Sequence, residues 1–296
     1  MAKTDTLTRF LIDSTQVRGA LVSLDRSWAD VRGRSDYPAP VQRLLGEAAA
    51  AAALFVGHVK VDGRISLQLR GTGALRTLFA EATSAGTLRG IARVQPPVPA
   101  QLGLGDLGEG SMLAITIETR PPGQREMHRY QGLVGLDADT LDDALTHYFL
   151  QSEQLPTALL LAADGDRAAG LLLQRLPGVE GDADGWTRVQ ALFDTLSPAE
   201  LLAGPDHELL WRLFHEDGVR VLSEQSLEFG CSCSRARVED MLRGLGHDEA
   251  SAAAETGEAL IHCEFCGREY TFSPAAINEL FTLEPTPNAP PAPGLQ

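Results

Sequence analysis

The stretch Pro40-Val-Gln-Arg-Leu-Leu-Gly-Glu-Ala-Ala-Ala-Ala-Ala-Ala-Leu-Phe55, followed by Val59-Lys-Val-Asp-Gly-Arg-Ile-Ser-Leu-Gln-Leu69, places a helix signal beside a strand signal. The first part is rich in alanine, begins at a proline and stops at Gly57, which predicts a helix. Its many small residues predict close packing against a sheet. The second part alternates apolar and polar residues around Asp62-Gly63, which predicts a half-buried antiparallel ribbon with a tight hairpin turn.

Further elements on either side of this stretch mix strands and helices. Strands are predicted over Met112–Thr119, Thr157–Ala163 and Ala168–Leu176, and a helix over Leu141–Gln151 with Thr140 as its cap. Because strands and helices do not alternate in regular βαβ units, the sequence predicts an α+β fold.

Residues 178–229 differ in character, because short helical pieces there are divided by glycine, proline and acidic residues. The pieces are Trp186–Leu196, a second opened by the capping box Ser197-Pro-Ala-Glu200, and Pro205–His215. Each is too short to be stable alone and must dock on a neighbour. The sequence therefore predicts four segments: an N-terminal α+β domain (1–177), a metastable helical linker (178–229), a small C-terminal module (230–283) and a disordered proline-rich tail (284–296).

Charge and hydropathy exclude several partners. The 296 residues include 40 acidic and 25 basic side chains, for a net charge of −15. Lysine occurs only at Lys3 and Lys60, and the arginines are scattered, so nothing predicts a nucleic-acid surface. Without a run of about 18 apolar residues or an apolar N-terminal stretch, we expect a cytoplasmic protein with no membrane partner.

Enzyme motifs are weak in this sequence. Gly103-Leu-Gly-Asp-Leu-Gly108 matches a dinucleotide fingerprint in its letters, but it follows a proline-rich stretch and precedes a predicted strand. That context predicts a turn between strands rather than a nucleotide site. Ser111 and Ser152 have no nucleophile-elbow context. We therefore expect a protein that is not an enzyme.

All four cysteines lie in the last quarter of the chain, as the pairs Cys231-Ser-Cys233 and Cys263-Glu-Phe-Cys266. In a cytosolic protein, paired cysteines indicate a metal site or a redox device rather than structural disulfides. Each pair places two soft sulfur ligands on one tight turn, and four thiolates satisfy tetrahedral zinc. The sequence predicts one Zn²⁺ on these cysteines in the reduced state. His262 and His247 are weaker candidates as substitutes for a sulfur.

Three roles are open for such a site. A structural zinc ribbon or adaptor is the simplest role. The segment from Cys231 to Phe272 contains eight acidic residues and four arginines, which argues against the nucleic-acid binding common among zinc ribbons. A disulfide within Cys-x-Cys closes a strained ring and is readily reversed, which favours a redox role. A thiol–disulfide oxidoreductase would need Cys-x-x-Cys at a helix start in a thioredoxin-like unit.

At these residues the sequence resembles the bacterial redox-regulated heat-shock holdase family, the 33 kDa chaperonins, over about residues 8–282. The family pattern appears here as Phe229-Gly-Cys-Ser-Cys-Ser-Arg-Ala-Arg-Val-Glu239 and Cys263-Glu-Phe-Cys-Gly-Arg-Glu-Tyr270. Other recurrent segments follow in the expected order: Val17-Arg-Gly19, Asp36-Tyr-Pro38, Leu44-Leu-Gly-Glu-Ala48, Tyr148-Phe-Leu-Gln-Ser-Glu-Gln-Leu-Pro156 and Gly170-Leu-Leu-Leu-Gln-Arg-Leu-Pro177.

The resemblance implies an ATP-independent holdase that binds unfolded proteins under oxidative and heat stress. It implies zinc on the four cysteines when reduced, and the disulfides Cys231–Cys233 and Cys263–Cys266 with zinc release when oxidised. Loss of the module then undocks the linker and exposes linker and sheet to clients. The resemblance further implies a homodimer when oxidised, with the N-terminal domain binding substrate and dimerising, and transfer of clients to the ATP-dependent seventy-kilodalton chaperone system.

Overall fold

The computed structural model describes residues 5–58, 62–120, 123, 126–152, 154–176, 182, 184–204, 206–255 and 257–282. The chain forms two compact units, one ending at Gly230 and the other beginning at Cys231. The predicted tail and residues 178–181 lie outside the described residues.

The larger unit contains two mostly antiparallel sheets. The first has the strand order β10-β1-β2-β9-β8, and the second has the order β11-β5-β4-β3-β6-β7, in which β11 alone runs parallel to its neighbour. The strands are β1 Thr6–Ile12, β2 Val17–Leu24, β3 Gly63–Arg70, β4 Leu75–Thr83, β5 Thr87–Val94, β6 Met112–Thr119, β7 His128–Val134, β8 Thr157–Ala163, β9 Ala168–Arg175, β10 Val219–Ser226 and β11 Glu228–Phe229.

One long helix packs against both sheets. The helices of this unit are α1 Arg26–Arg32, α2 Ala39–His58, α3 Leu141–Ser152, α4 Gly185–Phe193, α5 Pro198–Ala203 and α6 Asp206–Phe214. The alanines of α2 are buried in one core with residues of both sheets, as its composition predicted. By length and hydropathy α2 also passes as a membrane span, but 78% of that window is buried, as in a core helix.

Apart from its edge strand β10, the first sheet is largely buried on both faces. Alternate side chains of each strand point to opposite faces, so in β9 Leu172 belongs to the α2 core while Leu171 and Leu173 belong to a second core. That second core is completed by α4, α5 and α6. The short helices predicted after residue 178 therefore exist, and they cover an apolar sheet face.

Several predicted elements are confirmed residue by residue. Strands β6 and β8 have the predicted bounds, and α3 and β9 differ from prediction by one residue at one end. Thr140 Oγ1 accepts a hydrogen bond from the Asp143 amide at 3.3 Å, as expected of a cap. The capping box also forms, since Ser197 and Glu200 bond each other's backbone amides.

Two expectations are wrong. The part of the predicted ribbon after Asp62 is a half-buried antiparallel strand, β3, but it does not pair in the predicted hairpin, because β4 and β6 occupy both of its edges. Residues 59–61, where the predicted partner strand falls, lie outside the described residues. Residues 219–229, assigned to the helical linker, form β10 and β11 instead. The first sheet would otherwise end at β1, and β-branched Val219 and Val221 suit a strand that covers this edge.

The smaller unit consists of α7 Arg235–Leu245, α8 His247–Ala252, β12 Ala259–His262, β13 Glu269–Phe272 and α9 Pro274–Thr282. Strands β12 and β13 form a two-stranded antiparallel ribbon. A small apolar cluster of eight buried residues holds these elements together: Leu242, Ala250, Ala254, Ala259, Tyr270, Phe272, Ile277 and Leu280. Cys233 and Cys263 pack against this cluster.

Candidate metal centre

The second cysteine pair lies on the turn that joins β12 to β13. The amide of Cys263 donates to the carbonyl of Arg268 at 2.8 Å, and the amide of Gly267 donates to the carbonyl of Cys263 at 2.7 Å. Gly267 has φ +71°, in the left-handed region where glycine is least strained. These bonds curl the chain so that Cys263 and Cys266 lie together.

The first cysteine pair immediately precedes α7. Ser234 is the N-cap of this helix and accepts from the Arg237 amide at 3.3 Å. The Arg237 guanidinium turns back to the Ser232 carbonyl at 2.9 Å. The extended Cys-x-Cys segment is thereby fixed at the start of the helix.

The two pairs meet in space. The Cys231 and Cys263 sulfurs are 3.6 Å apart, the Cys233 and Cys266 sulfurs are 3.4 Å apart, and all four lie within 4.8 Å of one another. No disulfide joins them. A Zn–S distance of about 2.3 Å places the sulfurs of a regular tetrahedron about 3.8 Å apart. The observed cluster fits that geometry after small adjustments, so the four cysteines are suited to hold one zinc ion.

Ionisation of these thiols is unequal. Burial raises the pKa of Cys231, and it raises the pKa of Cys266 to about 12. Burial also opposes ionisation of Cys233, but the Tyr270 hydroxyl and the neighbouring thiols outweigh it and lower the pKa to about 7. Crowded thiolates repel one another, and a bound divalent cation supplies the charge that lets all four ionise.

The histidines considered as substitute ligands lie elsewhere. His247 faces Asn278 Oδ1 at 2.9 Å, and His262 lies 3.5 Å from a carboxylate oxygen of Glu269. Within the described residues, the candidate metal group contains the four cysteines and neither histidine.

Sequence reasoning missed two side chains near the sulfurs, Tyr270 and Arg268. Tyr270 is buried beside Cys233, and Arg268 interacts electrostatically with Cys233 and Cys266. In the sequence, the one indication of their role is position: Arg268 is two residues and Tyr270 four residues after Cys266, where the chain enters β13. This spacing does not predict which of the two side chains lies next to a cysteine sulfur.

The surroundings of the remaining motifs argue against the enzyme alternatives. Cys-x-x-Cys lies between two strands of a ribbon and not at a helix start, unlike the thioredoxin arrangement. The Gly103–Gly108 segment forms a 3₁₀ turn, Leu104–Leu107, between β5 and β6, as predicted, and no α-helix follows it to receive a pyrophosphate.

Comparison with known proteins agrees with this architecture. The model of the Hsp33 protein family matches residues 5–273. The chain belongs to the Hsp33 family. Among Hsp33 relatives, the 33 kDa chaperonin of Pseudomonas fluorescens strain Pf0-1 is 44% identical over 286 residues, covering 94% of each chain. The 33 kDa chaperonin of Chromobacterium violaceum is 42% identical over 281 residues, covering 95% of each.

A solved Hsp33 structure shares the fold. The 33 kDa chaperonin (heat shock protein 33 homologue) of Thermotoga maritima superposes with a TM-score of 0.79 at 21% identity, covering 95% of this chain and 98% of its own. Membership in the Hsp33 family supports a chaperone function, and the four-cysteine cluster is consistent with a metal site in that family.

Proposed function

We propose that this protein is a redox-regulated, ATP-independent holdase that binds unfolded proteins and prevents their aggregation under oxidative and heat stress. The observation that carries the proposal is the convergence of four cysteine sulfurs within 4.8 Å in a small unit of its own. Family membership supplies the chaperone function, and the cysteine chemistry supplies the regulation.

In the reduced state the four sulfurs stabilise the small unit. Its apolar cluster has eight buried members among the described residues, which is a small core for some fifty residues. Bound zinc supplies about 10–16 kcal/mol of folding free energy at a site of this type. Folding of the unit therefore depends on the four cysteines remaining thiolates.

Oxidation removes these ligands. A cysteine thiolate attacks a peroxide oxygen to give a sulfenic acid and water or hydroxide, and a second cysteine sulfur displaces the sulfenic oxygen as water to form a disulfide. Each disulfide consumes one peroxide, two protons and two thiolates and yields two waters. We propose the pairs Cys231–Cys233 and Cys263–Cys266, whose sulfurs no longer bind the ion once both disulfides form.

Unfolding of the module is transmitted along the chain, because Cys231 follows β11 after one residue. The helices upstream, α4, α5 and α6, have nine, six and nine residues and are not stable without docking. We propose that they form a metastable linker which undocks when the module unfolds. The apolar sheet face beneath them is formed by Phe10, Ile12, Val17, Leu21, Ala158, Ala162, Ala169, Leu171 and Leu173.

Among the described residues, few polar contacts hold these helices on the sheet. Asp206, the first residue of α6, accepts hydrogen bonds from Thr6 Oγ1 at 3.0 Å and from the Ser23 hydroxyl. Arg188 of α4 pairs at 2.6 Å with Asp217 of the turn after α6, so this ion pair joins two of the covering segments to each other. Partly exposed pairs of this kind contribute about 1 kcal/mol or less each. Docking therefore rests mainly on apolar burial, which unfolded clients can replace with their own apolar side chains.

The remaining assignments follow from the family and the composition. We propose a cytoplasmic protein that forms a homodimer when oxidised and passes clients to the ATP-dependent seventy-kilodalton chaperone system. The acidic chain, with a net charge of −15, argues against nucleic acid as a partner.

One experiment tests the switch directly. Zinc release, measured with a colorimetric chelator, and suppression of aggregation of a heat-denatured client are followed together, before and after peroxide at raised temperature. We expect both to rise in one step and to reverse with thiol reductant and zinc. Cys266→Ser is the control variant, in which the second disulfide cannot form.

Two results would contradict the proposal. Zinc that stays bound through complete peroxide treatment shows that the site is structural. Zinc that is released with no gain of client binding shows that the module does not regulate the sheet face.

A further inference from the structure

Tyr270 lies at the second position of β13, inside the small unit. Its side chain is 7% exposed and packs in the same apolar cluster that contacts Cys233 and Cys263. The hydroxyl oxygen itself is fully buried. A tyrosine needs no hydroxyl to fill an apolar position, and phenylalanine fills the next inward-facing position of the strand, Phe272.

The buried hydroxyl lacks a conventional partner. None of the described groups meets it in full hydrogen-bond geometry, whereas buried hydroxyls in proteins are nearly always bonded. Its electrostatic neighbours are the Cys233 sulfur and the Arg268 guanidinium. A neutral thiol is a weak acceptor, but a thiolate is a strong one. A cysteine sulfur that binds a metal carries thiolate charge, so the orphaned donor, buried in the cluster against which Cys233 packs, suits Cys233 in its role as a metal ligand.

We infer that the Tyr270 hydroxyl donates a hydrogen bond to the Cys233 thiolate of the reduced, metal-loaded protein and thereby sets how fast this sulfur is oxidised. Tyr270 is a positioning residue, since it acts on oxidant only through Cys233. The inference rests on the proposed function, because it concerns the first step of the same switch.

The hydrogen bond is expected to slow the reaction of the Cys233 sulfur with peroxide. A hydrogen bond to a thiolate stabilises its lone pairs and reduces their attack on a peroxide oxygen. The same bond stabilises the charge that the metal requires. Tyr270 would thus keep zinc bound at low oxidant concentration and still allow its release at high oxidant concentration.

The test uses the full-length zinc-loaded protein and the variant Tyr270→Phe, which removes one oxygen atom. We expect peroxide-driven zinc release to be about five- to tenfold faster than in the wild type, as for loss of one hydrogen bond of ordinary strength. Tyr130→Phe, at an exposed position on β7, is the matched control and should leave the rate unchanged.

A spectroscopic readout separates this effect from loosened packing. In the cobalt-substituted protein, Tyr270→Phe should move the sulfur-to-cobalt charge-transfer band to lower energy, while the d–d bands keep the intensity of a tetrahedral site. Replacement of Tyr270 by a ring-fluorinated tyrosine keeps the hydroxyl and strengthens it as a donor, so this protein should release zinc more slowly than the wild type.

The outcomes distinguish the two proposals. If wild-type protein releases zinc with peroxide while Tyr270→Phe does so at the same rate and with the same charge-transfer energy, the inference is wrong and the switch stands. If the fluorinated protein is faster than the wild type, the inference is also overturned. If wild-type zinc stays bound under peroxide, the proposed function itself fails.

Discussion

Docking of α6 on the first sheet is tested most directly at Phe214, the last residue of that helix. Phe214 is completely buried, and its ring stacks on Phe10 of β1 with centroids 6.2 Å apart and an interplanar angle of 23°. We predict that Phe214→Ala gives holdase activity in the reduced, zinc-loaded protein, without any oxidant.

The magnitude follows from burial. Truncation of a fully buried phenylalanine to alanine costs about 3–5 kcal/mol. A nine-residue helix has almost no stability of its own to offset this. Because about 1.4 kcal/mol is a factor of ten, the undocked population should rise by roughly a hundredfold to a few thousandfold. The α2 core on the opposite face of the sheet does not include Phe214 and should stay folded.

The assay measures three quantities on one reduced sample: zinc content, suppression of aggregation of a heat-denatured client, and amide hydrogen exchange. Trp211→Ala is the matched control, because Trp211 lies on the same helix and is 63% exposed. We expect faster exchange in α6 with protection retained in α2 for Phe214→Ala, and neither change for Trp211→Ala.

A specific result would refute the reasoning. If Phe214→Ala shows rapid exchange in α6 with zinc bound, yet holds no more client than the wild type, the sheet face beneath α6 is not a client surface. If α2 loses protection together with α6, the helices are an integral part of one cooperative core and not a detachable cover.

Three further predictions concern pH, metal and packing. Burial opposes ionisation of Glu47 more than its ion pair with Arg43 favours it, so its pKa is raised from 4.5 to about 7. Because the pKa of Glu47 is higher in the folded than in the unfolded protein, the free energy of unfolding falls as pH rises from about 4.5 to 7. Between pH 5 and pH 8, the free energy of unfolding of Glu47→Gln, measured in urea titrations, should rise relative to that of the wild type by up to about 3 kcal/mol. The same difference between variant and wild type at both pH values would contradict this. Removal of zinc by a chelator should abolish amide protection in α7, β12, β13 and α9 and leave α2 protected; loss of protection in α2 as well would count against separate units. A Cβ at Gly46 would lie 2.5 Å from Ala163 Cβ, so Gly46→Ala should lower the free energy of unfolding by about 1–3 kcal/mol in thermal or urea unfolding, whereas Gly244→Ala, with open space around it, should not.

Elements whose alternation or capping residues are close together in the sequence can be predicted from the local sequence pattern alone. Strands β6 and β8 and helix α3 were predicted almost to the residue, because alternation and capping are written in consecutive residues. The four cysteine sulfurs lie together, as predicted from two Cys pairs that each place two soft ligands on one tight turn. The family resemblance read from the motifs is confirmed by the family match over residues 5–273.

The remaining features depend on partners that are distant in sequence. Strand β3 pairs with β4 and β6, and no local signal distinguishes these from a hairpin across Asp62-Gly63. β10 is nearly all exposed and becomes a strand because β1, some two hundred residues earlier, offers an edge. The proximity of Tyr270 to Cys233 likewise needs the folded turn.

The division of the first sheet between two cores explains how one apolar surface can be uncovered without loss of the fold. Side chains on one face are sealed by α2, which also packs on the second sheet, so this core does not depend on α4, α5 or α6. Among the described residues, side chains on the other face are covered by these short helices and the segments next to them. Loss of the helices would therefore expose an ordered sheet face that is held in place from behind. Under the proposed switch, the free energy supplied by the cysteine site need only exceed the docking energy of the helices and not the stability of the whole unit.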